Sequence, residues 1–338
     1  MTENNTKLKV LQEDGDGKKW PERKMDNKKV AESFRRLGNV RKAERLEGCG
    51  TWLNFSECAQ GHRKLTGANF CRARLCPVCD WRRSLKHFGQ IMDIVHEAHR
   101  QQPKLRYIFL TLTVKNVPSD ELSGLITRMF TAWNVFAMYD EVYKASVGWI
   151  RALEVTYNPE RDDYHPHFHV MIGVKQSYFT GKRYISQARW AALWQRALGV
   201  DYIPMVHVEI VKPVDITSGS GIAELSKYTI KDSDYILEDK PTMDKVVGTL
   251  SVALHHRRLV GFGKLFRKIK AELALPDVEA SDADLTDGEV FICSCPVCGG
   301  AIFQTVYNWR IGYNQYMLCS KSSNPQTLHI PKTGGEKV

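Results

Sequence analysis

The chain has 338 residues, of which 43% are hydrophobic, and a formal net charge of +10. This length and composition are typical of a globular protein with one large domain or two modest ones, and the basic charge favours a polyanionic partner. No secretory signal opens the sequence and no run approaches the ~18 apolar residues of a spanning helix, so we expect a cytoplasmic protein that does not associate with membranes.

The N-terminal region is strongly polar. Residues 1–28 are rich in Asp, Glu, Lys and Asn, and they are predicted to form a flexible arm because they have too little apolar surface to bury. Over 29–46, apolar residues recur at helical spacing among Arg and Lys, which predicts a basic amphipathic helix. Its charged face is either a solvated surface or a contact with DNA phosphates.

A cysteine cluster follows this helix. Cys76-Pro-Val-Cys79 places two thiolates on one tight turn, as one edge of a zinc tetrahedron requires. The second pair must come from upstream, where Cys49, Cys58, His62 and Cys71 are available. Buried or redox-active thiols are the alternative, because the spacing is not that of a standard finger.

Residues 29–104 are therefore predicted to form a zinc-binding module with Zn²⁺ as a structural ion. Four arginines surround the predicted zinc and are expected to contact DNA: Arg72, Arg74, Arg82 and Arg83.

The next region, 105–270, alternates strand and helix patterns. Strands are predicted at 106–114, 149–157, 165–173 and 205–211, and helices at 80–99, 122–139, 183–198 and 221–231. This order predicts an α+β fold with a central antiparallel sheet flanked by helices. One face of such a sheet can stay free for a metal ion and a substrate.

Three histidines alternate along one predicted strand, at His165, His167 and His169. Successive side chains of a strand point to opposite faces, so the imidazoles share one face and apolar residues occupy the other. In the predicted hairpin, Glu154 lies opposite this histidine face. The pattern predicts a divalent-metal site with Mg²⁺ or Mn²⁺ held by His167, His169 and either Glu154 or His165. A half-exposed strand that happens to carry histidines is the alternative.

The segment 221–231 is predicted to be a helix. At 100° per residue, Glu224, Tyr228 and Lys231 fall within an arc of about 60° and would line one side. A solvated helix face is the alternative interpretation.

The C-terminal part begins with an acidic stretch. Residues 271–290 contain seven acids and no Lys or Arg, and they are predicted to be a linker. Residues 291–338 are predicted to be a small Cys-rich appendage whose function is open between DNA contact, self-association and stabilisation. Four thiolates there could hold a second zinc ion: Cys293, Cys295, Cys298 and Cys319.

Three motifs in this order resemble the HUH endonucleases, and most closely the rolling-circle plasmid replication initiators of Gram-positive bacteria. They are Phe109-Leu-Thr-Leu-Thr-Val-Lys-Asn116, His167-Phe168-His169 and Glu224-Leu-Ser-Lys-Tyr228. Flanking matches at 69–79, 153–158 and 261–266 extend the resemblance over roughly residues 30–270.

The resemblance implies a nuclease with an HUH-type sheet that nicks DNA at a plasmid origin and transfers the strand. Tyr228 would form a 5′-phosphotyrosine, Glu224 would activate water at termination, and Lys227 or Lys231 would assist at the phosphate. Cys49 and Cys71 match the family's pattern and are the favoured partners of Cys76 and Cys79, although Cys58 or His62 could replace one of them.

The implied partners are origin DNA with a hairpin, the host replication machinery and a host helicase, because the sequence has no Gly-x-x-x-x-Gly-Lys-Ser/Thr phosphate loop. An HUH relaxase or transposase is the nearest alternative. A histidine-triad nucleotide hydrolase would leave Tyr228 without a role, and a non-catalytic zinc-dependent DNA-binding regulator would leave the histidine strand without one.

Overall fold

The structure is a computed structural model that describes residues 11, 20–212, 222, 225, 231–288 and 294–322. These residues divide into two compact units. The first unit contains the described residues 11, 20–32, 40–79, 284–288 and 294–322, and the second contains 33–39 and the described part of 80–283. The first unit is therefore built from both ends of the chain.

The helices, in chain order, are α1 (Trp20–Arg36), α2 (Val40–Glu47), α3 (Pro77–Gln101), α4 (Ser119–Phe136), α5 (Asp140–Ala145), α6 (Gln187–Leu198), α7 (Asp232–Tyr235), α8 (Lys240–Ala253) and α9 (Leu265–Glu272), with 3₁₀ turns at Gln176–Tyr178 and Ile311–Tyr313. The strands are β1 (Trp52–Cys58), β2 (Arg63–Ala68), β3 (Leu105–Thr113), β4 (Ser146–Asn158), β5 (Asp163–Lys175), β6 (Val206–Val211), β7 (Val260–Lys264), β8 (Ile302–Arg310) and β9 (Gln315–Ser322). Every helix in these described ranges is too short or too polar to cross a membrane.

The first unit contains a four-stranded antiparallel sheet in the order β2-β1-β8-β9. Strand β8 pairs with β1 along its length, from Trp52 opposite Asn308 to Cys58 opposite Ile302. The prediction of a separate C-terminal appendage at 291–338 is therefore wrong for the strands it contains. They complete a sheet that the N-terminal hairpin begins, and this long-range pairing leaves no local pattern in the sequence.

The N-terminal helix begins inside the predicted arm 1–28. Trp20 is 1% exposed, and its ring lies 6.2 Å from that of Phe55, 6.5 Å from Phe70 and 6.4 Å from Tyr316. One buried tryptophan anchors a segment whose average composition is polar, so the predicted boundary at residue 28 is wrong.

The single helix predicted over 29–46 is two helices. Residues Leu37, Gly38 and Asn39 separate α1 from α2, and Gly38 has a φ of +77°. Glycine adopts this left-handed backbone at no steric cost, which allows the chain to turn between the helices.

The second unit is built on a five-stranded antiparallel sheet in the order β6-β3-β5-β4-β7. The predicted central antiparallel sheet flanked by helices is confirmed, and the predicted strands within 106–211 match the observed ones to within a few residues. The helix predicted at 183–198 begins four residues later, because the Ser186 hydroxyl accepts a hydrogen bond from the Arg189 N–H and caps it.

A buried arginine lies in the core on one face of this sheet. Arg151 on β4 is 6% exposed, and its guanidinium carbon lies 4.4 Å from the ring centroid of Phe130 and 4.8 Å from that of Phe168. Burial lowers the pKa of Arg151 to about 10, so the side chain remains charged at neutral pH and the aromatic faces stabilise it.

The acidic stretch 271–290 is not a linker over its described part. Its residue Val278 is 2% exposed. The Glu279 carboxylate accepts hydrogen bonds from the backbone N–H groups of Leu259, at 3.0 Å, and Val260, at 3.2 Å. Glu279 therefore provides hydrogen-bond acceptors for backbone N–H groups at the start of β7, an edge strand. These hydrogen bonds attach residues 271–283 to the second unit.

We predict that Gly263→Ala destabilises the second unit. Gly263 lies opposite Trp149, and a Cβ at Gly263 would lie 2.0 Å from the Trp149 ring. The free energy of unfolding should fall by about 1–3 kcal/mol, the usual cost of overpacking, when measured by chemical denaturation. Gly124→Ala on α4 is the control, because a Cβ there meets nothing within 4 Å; it should be neutral or stabilising. Equal stability of the two variants would contradict the contact.

Candidate functional site

The histidines and Glu154 meet through the pairing of β4 with β5. Glu154 lies directly opposite His167, and Ala152 lies opposite His169. Residues opposite each other in an antiparallel pair point to the same side of the sheet. The hairpin therefore places the Glu154 carboxylate and both imidazoles on one face, as the sequence predicted.

The three donor atoms converge closely. Glu154 Oε2 lies 2.8 Å from His169 Nε2 and 3.5 Å from His167 Nε2, and the two Nε2 atoms are 3.2 Å apart. Right-angled ligands bound at ~2.1 Å, as in an octahedral ion, lie ~3.0 Å apart. The donor group of Glu154, His167 and His169 thus has the chemistry and spacing to hold a divalent ion.

Neighbouring groups orient the imidazoles. His167 Nδ1 lies 3.3 Å from the backbone carbonyl oxygen of His165, and His169 Nδ1 lies 3.4 Å from Thr111 Oγ1. A carbonyl oxygen can only accept, so His167 Nδ1 donates and its Nε2 keeps a lone pair for a metal ion. Outer contacts of this kind fix ring orientation in metal sites.

The Glu154 carboxylate is buried but ionised. Burial raises its pKa, but the contacts with His167 and His169 outweigh burial and hold the pKa well below its usual range. Lys231 Nζ lies 3.4 Å from the other oxygen, Oε1. The group therefore offers one negative oxygen and two nitrogens.

Of the two candidates for the third donor, the structure brings Glu154 and not His165 into the group. The His165 ring lies 5.2 Å from that of His167, and its contribution is the backbone carbonyl. Glu224, Lys227 and Tyr228 lie outside the described residues. In the same predicted helix, Ile222 and Leu225 are fully buried in the core of the second unit.

The four favoured cysteines form a compact group in the first unit. Cys49 Sγ lies 3.5 Å from both Cys76 Sγ and Cys79 Sγ, and Cys71 Sγ lies 3.7 Å from Cys79 Sγ. Sulfurs bound to zinc at ~2.3 Å lie ~3.8 Å apart, whereas a disulfide requires ~2.05 Å. Burial raises the pKa of the Cys76 and Cys79 thiols, so a bound cation would be needed to hold these sulfurs as thiolates.

Comparison with known proteins identifies the family. A family model described as "Replication protein" matches residues 62–317. The chain belongs to this replication protein family. The match confirms the resemblance to rolling-circle plasmid replication initiators of Gram-positive bacteria, and it supports a role in starting plasmid replication. No solved structure gives a significant match.

Three relatives illustrate the similarity, each named "Protein rep". The chain is 40% identical to that of Streptococcus pneumoniae serotype 2 (strain D39 / NCTC 7466) over 278 residues, covering 81% of this chain and 86% of the relative. It is 40% identical to that of Lactiplantibacillus plantarum over 277 residues, covering 80% and 86%. It is 40% identical to that of Bacillus amyloliquefaciens over 295 residues, covering 82% and 85%.

Two of the four arginines predicted to contact DNA are buried in this replication protein. Arg82 and Arg83 are 4% and 6% exposed, and Arg83 Nη1 donates to Asp80 Oδ1 at 2.6 Å. A buried guanidinium cannot reach a DNA backbone, so the prediction is wrong for these two in this structure. Arg72 and Arg74 are partly exposed, and their contact with DNA stays a prediction.

The predicted second cysteine group has a different membership. Cys295 and Cys298 lie with Cys58 and His62, whereas Cys319 is exposed on β9 and outside the group. Cys293 lies outside the described residues. The prediction that Cys319 joins Cys295 and Cys298 was wrong. The prediction that Cys58 or His62 could replace a ligand in the Cys76 group was also wrong, because the β1–β8 pairing places both beside Cys295 and Cys298.

The sequence pattern does not indicate two residues near the Glu154 group. Thr111 lies in the Phe109–Asn116 motif, but only the pairing of β3 with β5 shows that its hydroxyl contacts His169. Asp234 on α7 is near enough to Glu154 and Lys231 for their charges to affect its pKa, which burial raises. No spacing distinguishes Asp234 from an ordinary surface acid.

We predict that Glu154→Gln weakens Mn²⁺ binding to the purified protein. The amide keeps the size of the side chain but removes the negative donor. Even outer-shell partners are worth roughly 10- to 100-fold in metal affinity, so the loss should be at least that large by calorimetry. Glu160→Gln in the exposed β4–β5 turn is the control and should bind as the wild type does. Equal affinities in all three proteins would rule out Glu154 as a donor.

Proposed function

We propose that this replication protein has an HUH-type catalytic domain that nicks one strand of plasmid origin DNA and transfers it, with Tyr228 as the nucleophile. The observation that supports this most strongly is the converging group of Glu154, His167 and His169 in a member of the replication protein family. Tyr228 follows that group in the sequence, in the motif on which the family resemblance depends.

In the proposed reaction the Tyr228 phenol oxygen attacks the scissile phosphorus. A bond forms between that oxygen and phosphorus, and the bond from phosphorus to the 3′ oxygen breaks. The phenol proton ends on the departing 3′ oxygen, which becomes a hydroxyl that can prime synthesis. The 5′ phosphate stays on Tyr228, so the bond is conserved for a later attack by a 3′ hydroxyl.

The donor group would hold Mg²⁺ or Mn²⁺. When bound, such an ion polarises the scissile phosphate and offsets its developing negative charge. Thr111 and the His165 carbonyl keep both imidazoles turned toward Glu154. The Lys231 ammonium, 3.4 Å from Glu154 Oε1 and with 54% of its side chain exposed, can approach a phosphate oxygen, and Lys227 is a second cation in the same segment.

Cys49, Cys71, Cys76 and Cys79 would hold a structural Zn²⁺. Four protein donors leave no position for water or substrate, so this ion would stabilise the fold and would not enter the reaction.

DNA attraction would come from the basic charge of the chain, and Arg72 and Arg74 are the proposed contacts near the cysteines. A basic surface gains affinity by releasing counterions from DNA. We propose origin DNA as the substrate and a host helicase as the source of strand separation.

Glu224 would act at the end of a round. It lies four residues before Tyr228, and we propose that its carboxylate accepts a proton from a water molecule that attacks the final phosphodiester. The transfer by Tyr228 requires no water, so the two residues would serve different steps.

We predict that Tyr228→Phe keeps origin binding and loses nicking, because this change removes only the phenol oxygen. Denaturing gels of a labelled single-stranded origin oligonucleotide should show no covalent adduct. Tyr235→Phe is the control: Tyr235 is 1% exposed and its hydroxyl donates to Asp232 Oδ1, so this variant should nick normally. A wild-type adduct level in Tyr228→Phe would place the nucleophile elsewhere.

We also predict that Glu224→Ala separates the two steps. The first nick should stay near the wild-type rate, while hydrolysis of the final strand should slow by ~10²- to 10⁴-fold, the usual worth of general-base assistance. Both rates can be followed on the same oligonucleotide. Glu238→Ala, an exposed acid on the described chain, should alter neither rate. Equal loss of both steps in Glu224→Ala would indicate a structural role.

A further inference from the structure

A second group of cysteine and histidine side chains that could hold a metal ion lies at one end of the four-stranded sheet. Cys58 is the last residue of β1 and pairs with Ile302, the first residue of β8. This register brings the turn that follows β1 beside the turn that precedes β8. The donor atoms of Cys58, His62, Cys295 and Cys298 all lie within 4.8 Å of one another.

Both turns contain a glycine with a positive φ. In the first, Gly61 N–H donates to the Cys58 carbonyl at 3.0 Å, and Gly61 has a φ of +86°. In the second, Gly299 N–H donates to the Cys295 carbonyl at 2.7 Å, and Gly299 has a φ of +69°. A left-handed glycine closes each turn tightly, so each turn presents two donors from a span of four or five residues.

The distances are those of a tetrahedral site. Cys58 Sγ lies 3.6 Å from Cys298 Sγ and 3.4 Å from His62 Nδ1, and Cys295 Sγ lies 3.7 Å from the same nitrogen. Zinc bonds of ~2.3 Å to sulfur and ~2.0 Å to nitrogen separate two sulfurs by ~3.8 Å and a sulfur and a nitrogen by ~3.5 Å. A disulfide would require ~2.05 Å.

We propose that Cys58, His62, Cys295 and Cys298 bind a second structural zinc ion. Soft thiolates with one imidazole favour zinc over Mg²⁺ or Ca²⁺, and four protein donors leave no position for a substrate. Cys58 and Cys298 are 240 residues apart in sequence, so this ion fastens the C-terminal strand pair to the N-terminal hairpin. The inference does not depend on the nuclease chemistry proposed above.

The full-length protein tests this by its zinc content. Elemental analysis of the wild type should give two zinc ions per chain, one in each cysteine group. Cys298→Ser should retain one, and Cys76→Ser should retain the other. Cys319→Ser is the matched control, because Cys319 is exposed on β9 and outside both groups; it should keep two.

Substitution of His62 by another metal ligand tests the site without removing a donor, so the variant is expected to fold. His62→Cys supplies a fourth thiolate and should keep two metal ions, but after Co²⁺ replacement its visible spectrum should change relative to the wild type. One zinc in the wild type, full zinc in Cys298→Ser, or a Cys58–Cys298 disulfide found by mass spectrometry would each overturn the proposal.

Hydrogen exchange tests the role of the ion in the sheet. Loss of the second zinc in Cys298→Ser should increase amide exchange in β8 and β9, while β3, β4 and β5 of the other unit stay as protected as in the wild type. Unchanged protection of β8 and β9, together with loss of one zinc, would overturn the fastening role.

Discussion

In the five-stranded sheet, β5 lies between β3 and β4, and its pairing with β4 sets Glu154 directly opposite His167. Both the polar site and the aromatic core depend on this register. On one face the hairpin carries the carboxylate and imidazoles; on the other, Arg151 packs against Phe168. A shift of one residue in the pairing would move every side chain of a strand to the opposite face. The packing of the buried Arg151 therefore also favours the register that forms the site.

The proposed metal sites differ in how many protein donors they contain. Each cysteine group supplies four, which completes a tetrahedron and closes it to other ligands. The Glu154 group supplies three among the described residues, and an octahedral ion would keep positions for water and phosphate oxygen. The number of protein donors therefore distinguishes the cysteine groups of the first unit, with their proposed structural role, from the Glu154 group of the second unit, with its proposed role in the reaction.

The histidine site was predictable from the sequence because it is local. A strand has a period of two and the β4–β5 turn is short, so the alternation of His165, His167 and His169 fixed the shared face and Glu154 followed from the hairpin. The choice between Glu154 and His165 required distances, which a pattern does not contain. Thr111 and Asp234 required the neighbouring strand and helix.

The predictions from sequence were wrong where the contacting residues are far apart in the sequence, or where the average composition of a segment hides a buried side chain. Cys58 and Cys298 meet through strand pairing between the two ends of the chain, and no periodicity indicates which cysteines meet. Trp20 and Glu279 lie in stretches whose average is polar or acidic, yet one fills a core and the other satisfies backbone donors of Leu259 and Val260. In both stretches a few buried side chains outweigh the average composition.

The divided first unit also affects folding during synthesis. Strand β1 leaves the ribosome more than two hundred residues before β8, its partner in the sheet, so the N-terminal hairpin must wait with one edge unpaired while the whole second unit emerges. Domains generally fold as units during synthesis, and the second unit ends at Ala283, before β8 is made, which favours early completion of the five-stranded sheet. A nascent chain cut short before residue 302 would therefore carry a histidine site on a finished sheet and an N-terminal hairpin with an open, aggregation-prone edge.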